Sequence, residues 1–396
     1  MTTAITAVRN GVRPSDITIY EASEKCGRKI LATGNGRCNL GNEILDSEMF
    51  YSSSRGRKEF LDDLIKRINM DDIKDFFRSL GVITVSKNGY LYPRSMQALT
   101  VLNALKNECD DLGINIRTKC VCTEVTRSGS GFELLINGKK EYSDVVVLSC
   151  GLGSGGFGIK GSEFTALLKG LKIKHNKTVP ALCGLDVYDD LRSIKGVRSA
   201  GSVSLFVSGR FSGTEEGEIQ FTEKAVSGIP VFQLSSLAGR ALEKGEKCCL
   251  TIDLMNEYDK DDVKEIIGSR IDRFPEREIY YAFNGIMNNK LMSYVLKRSG
   301  ISDKSPAGSL DDGRKKALFE NLKELKFDVK NIQPADKAQT MSGGIDLSAI
   351  GRNMDIYGND GLYVTGEMID VDGKCGGYNL YLAWATGIIC GRSLAK

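Results

Sequence analysis

Two glycine-rich segments hold the residues whose types and spacing could do chemistry. In GRKILATGNGRCNLGN, residues 27–42, Gly34 and Gly36 permit positive φ and a close approach of backbone to ligand. Arg28, Lys29 and Arg37 add cationic donors suited to a pyrophosphate, and Asn35 and Asn39 add neutral donors and acceptors. In GLYVTGEMIDVDGKCGGYNLYLAWATG, residues 361–387, an apolar strand delivers Gly366-Glu367 at its C-terminal end, where ligands of open α/β sheets bind. Gly376-Gly377 then lead into a helix whose first amides are unpaired and can stabilise an anion. Each segment also has a plainer reading, a surface loop in the first case and a glycine turn before a packed helix in the second.

If the ligand were a flavin, a helix start like that at Gly377 would face the pyrimidine edge of its ring and stabilise the negative charge that develops on reduction. Residues 2–21 match the later part of a dinucleotide-binding βαβ unit: a small-residue helix ending at Gly11, a turn at Pro14-Ser15, and a β-rich run ending at Glu21. In such units an acid about 20 residues past the glycine fingerprint hydrogen-bonds a ribose. Glu21 stands at that distance only if the glycines end just before Met1, so the expectation is that the first strand and its glycine loop lie outside this sequence. An ordinary helix followed by a strand-end carboxylate is the other reading. GxGxxG does occur at Gly151 to Gly156, after an apolar strand, yet no acid follows it at the required distance; a crossing between domains close to the cofactor is expected there.

Composition narrows the class. The chain has 396 residues, 41% hydrophobic and 27% charged, with a net charge of +3, as in ordinary soluble globular proteins. Basic residues are dispersed, so neither nucleic acid nor a membrane is indicated as a partner. No apolar run approaches bilayer length and no signal peptide opens the chain, which reads as cytoplasmic. The eleven cysteines include no CxxC, and the single histidine, His175, cannot anchor a His-based metal site alone.

The elements that must position these residues follow from hydrophobic periodicity. Helices are expected at 2–10, 60–68, 73–80 and 96–112, and short strands at 16–20, 114–117, 120–125 and 132–136, with a buried, parallel-type strand at 144–148. Strands at 203–207, 217–221 and 248–252 surround a helix near 230–242, residues 258–325 are mostly helical, and a last helix spans about 377–394. The predicted fold class is α/β, with a Rossmann-like dinucleotide-binding domain split between residues 1–160 and 336–396. A strand-rich insertion at 161–255 and a helical one at 256–335 interrupt it.

Taken together, GNGRCN, the GE pair and DVDGxxGGYNL resemble, in the same order, the signatures of the aminoacetone-oxidase-family flavoproteins, a group that also includes a bile-acid enone reductase. VPAL at 179–182, FTEKAVSGIPVFQLS at 221–235 and SGGIDL at 342–347 extend the resemblance over nearly the whole chain. It implies FAD as cofactor, with Glu21 on the adenosine ribose and Arg28, Lys29, Gly36, Arg37, Cys38 and Asn39 around the pyrophosphate and flavin. It places Val121 against the adenine through its backbone, Gly151 near the adenosine, Gly366 and Glu367 at the ribitol or pyrophosphate, and Gly377, Tyr378, Asn379 and Leu380 beside the isoalloxazine. The family's opening strand, GxGxxG and helix are represented here only by MTTAITAVRNG, which puts cofactor retention by this chain in question.

The resemblance further implies a two-dinucleotide-fold FAD oxidoreductase that moves a hydride between flavin and a small organic substrate. NAD(P)H would dock transiently, in a cleft between domains. Tyr378 and Cys375 are the nearest candidates for proton delivery. Substrate, electron acceptor and oligomeric state stay open, as do two other classes: a flavin-dependent RNA-modifying enzyme and a flavin-free remnant.

Overall fold

The structure, a computed structural model, describes residues 1–395. Short β-branched and aromatic runs form strands Thr18–Tyr20 and Val146–Leu148. The first pairs in parallel with Asn115–Arg117 and the second with Leu362–Val364. Parallel pairing needs long crossovers, which helices such as Ala98–Asp111 supply. Helices Thr2–Arg9 and Tyr378–Ser393 cross closely because Gly391 and Gly387 leave room: a Cβ on Gly391 would lie 2.6 Å from the Thr3 carbonyl oxygen. Ile5, Val101, Leu105 and Ile388 of these three helices join Leu148, Leu362 and Val364 in one apolar core.

The chain divides into two units, Met1–Val179 with the chain from Ala335 onward, and Pro180–Pro334. The sequence placed the first boundary near 160. It falls later because helix Gly161–Lys169 buries Phe164, Leu167 and Leu168 in the first unit's core, and strand His175–Ala181 pairs with Thr340–Ile345. His175 is structural there, its ring edge-on to Phe164 at 5.5 Å and its Nδ1 2.9 Å from the Ile173 carbonyl oxygen.

The strand-rich and helical insertions share one core and form one unit, not two. Six antiparallel strands close into a barrel in the order Leu185–Val187, Ala225–Gly228, Arg210–Phe221, Arg198–Val207, Cys248–Asp253, Leu325–Ile332. Strict alternation drives this: Leu325, Phe327 and Val329 are buried while Lys326, Asp328 and Lys330 are exposed, and closure removes the sheet edges. Helix Ile229–Glu243 adds Val231, Leu234 and Ala238 to the core. The buried ammonium of Lys323 pairs with Asp253 at 2.7 Å and donates to the Met255 and Tyr258 carbonyls, which satisfies a charge that burial would otherwise make costly. Among the described residues no helix is long and apolar enough to cross a membrane.

Candidate functional site

The GNGRCN loop is a tight, strained turn. Gly34, Asn35, Gly36 and Cys38 all have positive φ, at 55°, 53°, 79° and 58°. The turn is closed by the Arg37 amide donating to the Gly34 carbonyl and the Cys38 amide donating to that of Thr33. Non-glycine residues in this region cost free energy and persist where the surroundings hold them. Here the Cys38 side chain is fully buried, which pushes its thiol pKa up to about 11 and leaves it an inert packing group. The loop's exit is anchored by the Trp384 indole, which donates to the Leu40 carbonyl at 3.1 Å.

The C-terminal segment meets this loop. Gly377, at φ 93°, is the N-cap of helix Tyr378–Ser393. A Cβ there would lie 2.7 Å from both Asn39 Oδ1 and the Gly41 carbonyl oxygen, so only glycine fits. The Asn379 amide group brackets Gly373, accepting from its N–H and donating to its C=O, both at 2.8 Å. That reciprocal pair fixes the loop before the helix. Leu380 is partly buried against the core, and Cys375 is half-buried and in no disulfide.

A second cluster forms around Glu367, whose side chain is 13% exposed. One carboxylate oxygen accepts from Lys29 at 2.8 Å and the Leu152 amide at 3.1 Å; the other accepts from Ser154, Thr340 and the Met341 amide. Burial alone would raise its pKa, yet the charge of Lys29 and these hydrogen bonds hold it below the usual glutamate range. Lys29 also donates to Ser154, so its ammonium is committed to protein partners, and Arg28 stacks over Phe157 at 5.1 Å. Gly366, with φ 66°, donates its amide to Thr386 Oγ1 at 3.0 Å.

The residues around Gly151 form a loop closed on itself, not a helix-opening fingerprint. A Cβ on Gly158 would sit 2.4 Å from the Cys150 carbonyl oxygen and one on Gly153 2.9 Å from that of Ile159. These glycines are explained by backbone packing within the first unit. Gly151 itself faces Glu367, where a Cβ would stand 3.0 Å from the carboxylate.

Glu21 stands at the C-terminal end of its strand, one carboxylate oxygen accepting from the Ser23 amide at 2.7 Å. Its carbonyl takes the Cys120 amide, which brings Val121 beside it. The Val121 N–H, however, donates to Asn137 Oδ1 at 2.9 Å, and its carbonyl accepts the Asn137 amide.

The sequence reading missed Tyr90 and Tyr92. They lie on strand Tyr90–Pro93 of a hairpin whose turn, Asn88-Gly89, has both residues at positive φ. An Asn-Gly pair between alternating residues is a hairpin signal that was available. Asn42 faces Tyr90 across the ladder and donates to the Gly376 carbonyl at 3.3 Å, while Arg37 stacks over Tyr92 at 5.7 Å.

The residues present fit the ring end of a flavin. Asn39 Oδ1 is buried and has no hydrogen-bond partner among the described residues, an acceptor waiting for a donor. It lies against the glycine that opens a 16-residue helix, where amide dipoles favour negative charge.

Parallel strands carrying glycine turns at their C-terminal ends, with a long helix starting beside them, define an FAD-binding Rossmann enzyme of the oxidoreductase class. The chain belongs to the HI0933-like protein Rossmann-domain family, which it matches over residues 1–393. It is 33% identical over 402 residues to 3-dehydro-bile acid delta(4,6)-reductase of Clostridium scindens, covering 99% of this chain and 96% of that protein. It is 24% identical over 388 residues to ribosomal RNA dihydrouridine synthase of Escherichia coli, covering 96% and 92%. Among solved structures, 3-ketosteroid-delta4-(5alpha)-dehydrogenase of Rhodococcus jostii RHA1 aligns with a TM-score of 0.43 at 15% identity, over 100% of this chain and 94% of that one.

Proposed function

We propose that the enzyme reduces a carbon–carbon double bond conjugated to a ketone in a small apolar ring compound, with NAD(P)H as a transient electron donor. The observation that carries this reading is the meeting of Asn39, Gly377 and Tyr378 at the start of the last helix. The 33% identity to a reductase named for a 3-dehydro-bile acid supports the substrate class. FAD, when bound, supplies hydride chemistry. Asn39 and the Gly377 turn would hold its ring, and Glu21 and Gly151 its adenosine half. Glu367 holds the surrounding loops in place by its bonds to Leu152, Ser154, Thr340 and Met341.

Saturating a double bond also takes a proton, and Tyr378 and Cys375 stand nearest the helix start to deliver it. The Tyr378 phenol is held above its ordinary pKa by burial first and by neighbouring Tyr90 next, so it stays a neutral donor through physiological pH. The test is anaerobic: NADPH or NADH should bleach the flavin absorbance, and a 3-oxo-4,6-diene steroid should restore it while gaining two hydrogens by mass spectrometry. Reoxidation by oxygen but not by the steroid would overturn the reductase reading in favour of an oxidase.

A further inference from the structure

Gly376 is pinched between two tyrosine rings from distant parts of the chain. A Cβ built on it would lie 3.1 Å from Cε2 of Tyr378 and 3.1 Å from Cε1 of Tyr90. Each of these ring carbons neighbours the carbon that bears the hydroxyl, so the hydroxyl-bearing halves of both rings flank Gly376. The arrangement is held from both sides. Tyr90 is fixed by the ladder Asn42↔Tyr90 and by Asn42, whose side chain ties the Gly376 carbonyl. Tyr378 is fixed by the edge-on ring of Phe50 at 5.5 Å and by its place in the first turn of the last helix. Tyr378 is 4% exposed, so its ring has little freedom to move.

We propose that Tyr90 and Tyr378 form a two-phenol clamp that donates two hydrogen bonds to the ketone oxygen of the substrate. The inference deepens the reductase reading and rests on it. Two donors on one carbonyl oxygen use both of its lone pairs and draw electron density from the conjugated double bond. The partly exposed ring of Tyr90 offers an apolar face to the carbon skeleton beside that oxygen, with Tyr378 backed by the buried ring of Phe50. The favoured ligand is therefore an apolar ring ketone, and Tyr90 is a specificity-determining residue that no motif of the last helix contains.

Calorimetric binding of testosterone and of its 3-deoxy analogue, androst-4-en-17β-ol, to the flavin-loaded protein isolates the ketone. Wild type should prefer testosterone. Tyr90→Phe and Tyr378→Phe, which keep both rings against Gly376, should each weaken testosterone binding by about three- to tenfold and leave the 3-deoxy analogue unchanged. If wild type prefers the ketone and Tyr90→Phe retains the whole preference, the clamp is overturned while the reductase reading stands. An equal loss for both steroids would make Tyr90 a wall residue only and would also overturn it. A wild type with no ketone preference would remove the reductase reading and the clamp together.

Discussion

In the unit of residues 180–334 the side chains alternate in and out along the barrel strands, and the buried polar groups are few: Ser235, Ser236, Ser299 and Lys323. The unit that carries the site buries many more, among them Asn42, Ser154, Thr340, Ser342, Asp346, Asp370 and Asp372. Backbone strain divides the same way. Among the described non-glycine residues with positive φ, only Leu182 and Ser208 fall in the barrel unit, whereas Asn35, Cys38 and Asn88 border the site. A structure held by apolar burial can follow local pattern throughout. A structure that must present backbone and carboxylates to a ligand stores strain and satisfies buried charge with specific partners.

That contrast can be broken first at Glu367. Glu367→Ala leaves Lys29, Ser154 and two backbone amides without their acceptor, and should cost about 4 kcal/mol in urea unfolding together with the loss of bound flavin. In the barrel, Leu250→Ala should cost about 3 kcal/mol by cavity formation, with the flavin spectrum unchanged below the transition. Similar losses in stability with opposite effects on flavin would confirm the difference in construction.

Acid sharpens it further. Burial pushes the Asp346 carboxyl up, but hydrogen bonds from Ser348, Lys174 and Asn176 bring its pKa down to about 2. A depressed folded pKa stabilises above the unfolded value, so this contribution is complete above about pH 4 and is lost as pH falls toward 2. Melting temperatures across that window should fall less steeply in Asp346→Asn, which forfeits about 2 kcal/mol at neutral pH. The smallest effect compares two glycines of similar φ, Gly36 at 79° and Gly377 at 93°. Gly36 has open space where a Cβ would go, so Gly36→Ala should cost only about 1 kcal/mol; Gly377→Ala, which collides with Asn39 and Gly41, should cost more and weaken flavin binding.

The sequence showed the helices and the parallel strands because their apolar periodicity is local. Strand 144–148 and the last helix are both found, the strand as Val146–Leu148 and the helix as Tyr378–Ser393. Barrel closure was not legible, since the pairing of Leu185–Val187 with Leu325–Ile332 joins segments far apart in the chain and leaves no mark in either. The two motifs pointed to the site, but not to how they meet. Nothing local ties Asn39 to Gly377, or says that Glu367 is spent on Lys29, Ser154 and backbone amides. Tyr90 was missed because its significance lies in the ring it faces across Gly376.

The central claim, that Asn39 and the Gly377 turn build a flavin site, is tested most directly by the visible absorbance spectrum of the purified protein after equilibration with FAD and removal of excess. The account predicts a protein-bound flavin spectrum in wild type that is lost or strongly weakened in Gly377→Ala. A wild-type protein that stays colourless after FAD is added, or a Gly377→Ala variant that is folded and fully yellow, would contradict it.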